Sequence, residues 1–269
     1  MAFLGVELDE LPGWVCCGAV PPLLTDDVMK LLAPVRNLAN AGHRGKNLVT
    51  GCAFCYNILK RSNKIVRDDV EKRDTINNFI EETYRGNVKV LHLLEVLRDV
   101  IGFEAIKNKV RMKLKGLTVA PYYGCLLLRP YEAMGLDNPE DPRILEDLVR
   151  NVGGSVIDFP YKTECCGSYL AVSSQEVAVE RARTILSSAM RNGAEAVVVS
   201  CPLCHFNLDH SQGVLKERQR GFREIPILYF TQLVGVALGI GELCGLDQHY
   251  VAPRPLLEAK GLIGQAVVQ

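Results

Sequence analysis

Nine of the ten cysteines fall into two CC pairs, two CxxC pairs and one Gly-Cys. Cys16-Cys17-Gly18 matches Cys165-Cys166-Gly167, and Cys52-Ala53-Phe54-Cys55 matches Cys201-Pro202-Leu203-Cys204. Cys17 and Cys166 are 149 positions apart, and so are Cys52 and Cys201. The flanks repeat too. Leu48-Val49-Thr50 and Val198-Val199-Ser200 precede the two CxxC pairs, and Val88–Leu94 resembles Ile225–Thr231. One constant offset means two copies of one supersecondary unit. They are expected at residues 1–115 and 116–269. The offset puts the counterpart of Cys125 ahead of Met1, so the first copy is expected to be N-terminally truncated, without its first strand and first cysteine.

The second copy reads β-α-β-α-β-α. Leu117–Tyr122 is an apolar run bounded by Gly116 and Gly124, a buried strand leading to Cys125. Residues 141–151 read as a helix stopping before Gly153-Gly154, and Val156–Phe159 as a short strand leading towards Cys165. Ser174 is a candidate cap for a helix reaching Asn192. Ala194–Ser200 is a strand running into the CxxC, with a helix from His205. Ile225–Tyr229 and Thr231–Leu238 complete the unit. The alternation predicts an α/β fold with mostly parallel sheets. Each cysteine group then follows a strand, at the carboxyl edge where ligands gather.

Lys+Arg and Asp+Glu both number 31, leaving no net charge, which argues against a nucleic-acid binder. A local basic patch around Lys107–Lys115 is the exception. The apolar run Leu233–Ile240 is far shorter than the roughly 20 residues of a membrane span. Glu7, Asp9 and Glu10 replace the basic start of a secretory signal, so a cytoplasmic protein is expected. Disulfides are rare in that compartment, which directs ten cysteines towards metal or redox chemistry. Packing as small apolar side chains accounts for one or two of them, not for the repeated pattern.

A CxxC puts two thiolates on one metal or cluster, and a CC pair adds two more. Cys125, Cys165, Cys166, Cys201 and Cys204 offer five sulfurs, whereas tetrahedral zinc and a cubane cluster each want four. Zinc is the main alternative; a thioredoxin-like CxxC leaves the CC pairs unexplained. His205, beside Cys204, reads more readily as a residue that caps or packs at a helix start than as a proton donor near the sulfurs. His43 and His92 read as structural or surface residues, Cys244 as a packing residue, and Glu164 as solvated or paired with Lys162.

These residues resemble a known family. Tyr123-Gly124-Cys125 with Arg129-Pro130, Cys165-Cys166-Gly167, and Cys201 through Asp209 look like the cysteine-rich CCG domain. Over nearly the whole chain the similarity is to the B-type subunit of heterodisulfide reductase and its relatives. The resemblance implies two pseudo-symmetric Rossmann-like CCG repeats. It implies two non-cubane 4Fe-4S clusters, one on Cys125, Cys165, Cys166, Cys201 and Cys204, the other on Cys16, Cys17, Cys52 and Cys55. In that family the clusters face a common cleft where a small-molecule disulfide is split.

No G-x-G-x-x-G follows a strand and no P-loop is present, so electrons must come from partners. By resemblance these are a ferredoxin-like iron–sulfur subunit and a flavin-containing subunit, similar to the C-type and A-type components of heterodisulfide reductase. Two other readings stand beside this one. The chain could be a CCG subunit of a lactate, glycolate, glycerol-phosphate, succinate or sulfur-oxidising enzyme, or a zinc-binding assembly module without redox activity.

Overall fold

The computed structural model describes residues 1–18, 26–45 and 47–264. Two compact units divide the chain: Met1–Val96 with Leu126–Leu136, and Leu97–Cys125 with Asp137–Gln269. They interleave with the sequence repeats. Residues 97–115 belong with the second unit, and residues 126–136 with the first.

In the first unit, β1 (Leu48–Thr50) and β2 (Val90–His92) pair in parallel, with Thr50 opposite His92. Helices α1 (Met29–His43), α2 (Ala53–Asp68) and α3 (Val70–Ile80) pack on one another. Val35 and Leu38 of α1, Leu59 and Val66 of α2, and Ile76 of α3 form much of their core. Asn57 of α2 is buried and donates to the carbonyls of Leu126 and Arg129, at 2.8 and 2.7 Å. That explains why 126–136 joins this unit: the segment satisfies a polar side chain that would otherwise be buried without a partner.

The second unit holds α4 (Phe103–Lys109), β3 (Thr118–Tyr122), α5 (Ile144–Asn151) and β4 (Ser155–Val156). After them come α6 (Gln175–Arg191), β5 (Ala196–Val199), α7 (Pro202–Arg218), β6 (Ile227–Tyr229), α8 (Phe230–Ala237) and α9 (Arg254–Ala259). Its four strands are all parallel, in the order β4-β3-β5-β6. Every β5 side chain is buried, as a strand covered on both faces requires. Tyr122, Val199 and Tyr229 lie side by side in the ladder, so the ends of β3, β5 and β6 align at the carboxyl edge.

The structure moves some expected boundaries. The strand expected at Val156–Phe159 is only Ser155–Val156, extended by one bond from Ile157 N–H to the Val119 carbonyl. Helix α5 starts at Ile144 because the Asp137 carboxylate accepts the N–H groups of Arg143 and Ile144, at 2.7 and 2.8 Å. Ser174 precedes α6, but its side chain makes no cap bond; its carbonyl takes the N–H groups of Val177 and Ala178 instead.

The repeat persists in detail. Each final strand closes in a capping box, His92 with Glu95 and Tyr229 with Gln232. Asn63 of α2 donates to the Val88 carbonyl, and Gln212 of α7 to that of Ile225, both at 2.9 Å. These two helix positions are also 149 residues apart.

Candidate metal centre

In the second unit, β3 ends in Tyr123-Gly124-Cys125. The N–H groups of Tyr123 and Gly124 both donate to the Lys162 carbonyl, at 2.8 and 3.3 Å. This ties the segment before Cys125 to the segment before Cys165. The tie is anchored from within. Lys162 is buried, its ammonium 3.2 Å from Glu146, 3.2 Å from Asp158 and 3.3 Å from Asp141. Glu146 in turn accepts a hydrogen bond from the Tyr123 hydroxyl. Lys162 therefore does not pair with Glu164, which takes Arg181 at 3.0 Å instead.

Cys201 is the extended residue capping α7, and Cys204 lies in its first turn. The helix dipole there favours thiolates. Pro202 suits the first helical position, where its missing N–H costs nothing. Cys166 Sγ lies 3.3 Å from Cys204 Sγ, and the free thiols of Cys125 and Cys165, and of Cys201 and Cys204, are hydrogen-bonded to each other. The structure thus brings all five sulfurs of the second set together. Gly124 makes room: a Cβ there would sit 3.2 Å from Cys204 Sγ, and its φ of +66° suits glycine. Gly167 N–H donates to Cys165 Sγ at 3.3 Å. Asn207 of α7 is buried and holds the Cys166 carbonyl at 2.7 Å.

Within each contacting pair one thiol is shifted down and the other up. The bond from Cys125, with help from Gly167 N–H and Arg181, lowers the Cys165 thiol to about 6. Cys125 is pushed up by that bond and by burial. Cys204, bonded to Cys166 and Cys201 and buried, is also raised, whereas Cys166 is lowered by its bond with Cys204. Such a set gives up its remaining protons when a metal binds.

The first unit gathers three sulfurs of its four. Cys17 bonds to Cys55, and Cys55 to Cys52, while Cys16 is exposed. Cys52 caps α2 as Cys201 caps α7. The bond from Cys55, and another from Asn37 Nδ2 at 3.3 Å, lowers Cys17 to about 7. Among the described residues no group of three His, Cys, Asp or Glu side chains is arranged to hold a single ion.

His205 is not a proton donor aimed at the sulfurs. Its Nε2 lies 3.1 Å from the Ile227 carbonyl and 3.2 Å from His249 Nδ1, and burial lowers its pKa. His92 caps a helix turn and His43 pairs with Glu82 at 3.2 Å. Cys244 packs against Gly235, half-buried.

The cysteine-rich domain family CCG matches residues 1–60 and 119–209, more than half of the chain. The chain belongs to the CCG cysteine-rich domain family. This CCG protein is 34% identical over 252 residues to the 8-methylmenaquinol:fumarate reductase membrane anchor subunit of Wolinella succinogenes. That alignment covers 92% of this chain and 87% of the relative. It is 31% identical over 255 residues to the B-type subunit of the ferredoxin/F(420)H(2)-dependent CoB-CoM heterodisulfide reductase of Methanosarcina acetivorans, covering 92% and 85%. A hypothetical protein from Helicobacter pylori shares the fold with a TM-score of 0.69 at 12% identity, over 87% of this chain and 43% of that one. Among the described residues no helix is long and apolar enough to cross a membrane.

The CCG match spans both the nine patterned cysteines and the residues that steady them. Asn207 lies in the Cys201–Asp209 stretch that carries the resemblance, whereas no repeat or spacing singles out Lys162, Glu146 or Arg181.

Proposed function

We propose that this chain is the cluster-bearing subunit of a heterodisulfide-reductase-like complex that splits, or reversibly forms, a small-molecule disulfide. Its family and its likeness to subunits of two reductase complexes support the coarser statement, an iron–sulfur oxidoreductase subunit of a complex. The observation that carries the finer reading is the second sulfur set, five cysteines gathered at one sheet edge as the pair Cys125–Cys165 and the trio Cys166–Cys204–Cys201.

The donor set fits a cluster: soft sulfurs, a glycine cradle at Gly124, and an amide hydrogen bond to sulfur from Gly167. Cys125, Cys165, Cys166, Cys201 and Cys204 would hold one non-cubane 4Fe-4S cluster, and Cys16, Cys17, Cys52 and Cys55 a second. Such clusters would supply electrons singly and an iron site for a sulfur. This chain's residues do the rest. Lys162 fixes the Cys125 and Cys165 segments together, Asn207 fixes Cys166, and Gly167 donates to the Cys165 sulfur. Disulfide cleavage takes two electrons and two protons and leaves two thiols. With His205 turned to Ile227 and His249, those protons come from solvent or substrate. The electrons come from a ferredoxin-like subunit and a flavin-containing one, and the complex works in the cytoplasm.

The identity of 34% to a fumarate reductase subunit favours a second reading, a CCG subunit serving fumarate or succinate chemistry. The test is anaerobic purification with native partners, followed by dye-coupled assays with a heterodisulfide and with fumarate. Turnover of the disulfide supports the first reading. Turnover of fumarate alone replaces it with the second.

A further inference from the structure

The helix after each CC pair sends a polar side chain back to the residues at that pair. On α1 it is Asn37, which donates to the Val15 carbonyl at 2.7 Å and to Cys17 Sγ at 3.3 Å. On α6 it is Arg181, whose Nε donates to the Cys165 carbonyl at 3.2 Å and whose Nη2 meets Glu164 Oε2 at 3.0 Å. The loop is shaped for this contact. Gly167 has φ +80°, and a Cβ there would come within 3.3 Å of Ala178 Cα and 3.5 Å of Arg181 Cγ. The two helices thus perform one mechanical task, but Asn37 brings no charge and Arg181 brings a full one.

We propose that Arg181 is a positioning residue of the second sulfur set: it fastens the CCG loop to α6 and holds beside Cys165 a positive charge that Glu164 partly cancels, so that the Arg181–Glu164 pair sets the reduction potential at that set. The inference rests on the cluster reading above. A nearby positive charge stabilises the reduced, more negative state of a cluster, and a negative charge opposes it. The two partners must therefore act with opposite sign. A clamp that is merely structural moves the potential the same way in both variants, or in neither.

The experiment is an EPR-monitored redox titration of the anaerobically purified protein and of Arg181→Gln and Glu164→Gln, with iron counted in each. The pair is only partly buried, Arg181 at 35% and Glu164 at 53% side-chain exposure, so the effect is that of a screened ion pair. We expect R181Q to lower the reduced-to-oxidised ratio of the second-set signal at fixed potential roughly two- to fivefold, and E164Q to raise it by a similar factor. If R181Q loses its iron, E164Q decides alone. An unchanged or lowered ratio in E164Q with iron retained overturns the inference while leaving the cluster reading intact. Absence of iron from the second set of the wild-type protein overturns both.

Discussion

At the scale of single residues, the second sulfur set depends on groups that touch no ligand directly. Gly124 is the narrowest: an added methyl meets Cys204 Sγ at 3.2 Å, and φ is +66°. Gly124→Ala is expected to lose most of the second-set iron while circular dichroism stays that of the wild type. Asn207 works through the Cys166 carbonyl. Removing its amide leaves that buried acceptor unpaired, which costs about 1–3 kcal/mol. Asn207→Leu should therefore lower the urea midpoint and loosen Cys166, seen as faster iron loss to a chelator. Lys162 shows why such residues escape sequence reading. Its ammonium answers Glu146, Asp158 and Asp141, none adjacent to it in sequence, and its effect on Cys125 passes through its own carbonyl. The cysteines were legible because one offset repeats them. Arg181 was not, since its counterpart in duty is a neutral Asn37 at a different offset.

At the scale of elements, most of the second unit could be read from apolar periodicity. β3 and β5 bury the residues their spacing marks, such as Val119 and Ala120, while α6 buries Ala178, Ala182 and Ile185 but leaves Val177, an apolar position of the same pattern, exposed. Two boundaries differ from that periodicity for different reasons: the Asp137 carboxylate starts α5, and Ser174 leaves its capping to its backbone. Helix α7 is the extreme case, since Asn207, Asp209 and Gln212 are buried on it and each is bound to backbone. Asp209 accepts the N–H groups of Tyr250 and Val251, so the segment carrying His249 is strapped to α7. His249 faces His205 and Gln232, with Asp209 and Asp247 near; burial lowers its pKa and those carboxylates oppose this. A folded-state value below the ordinary 6.5 means its contribution is whole above that value and is lost as pH falls towards the lowered one. The melting temperature should fall as pH drops below the ordinary 6.5, and His249→Gln should flatten that fall.

At the scale of the whole molecule, the two repeats keep the same devices: a cysteine capping the helix after a strand, a side-chain amide gripping the approach to the last strand, and a capping box at its end. They differ in what they gather: three contacting sulfurs in the first, a contacting trio and a contacting pair in the second. The central claim is that the five-sulfur set holds an iron–sulfur cluster by itself. The most direct measurement is iron and acid-labile sulfide per chain, with EPR, for the anaerobic wild type and for Cys165→Ser/Cys166→Ser. The wild type should hold about four irons and four sulfides for each occupied set. The double variant should lose one set's complement together with its signal. A colourless protein containing zinc, or iron unchanged by that variant, would contradict the claim.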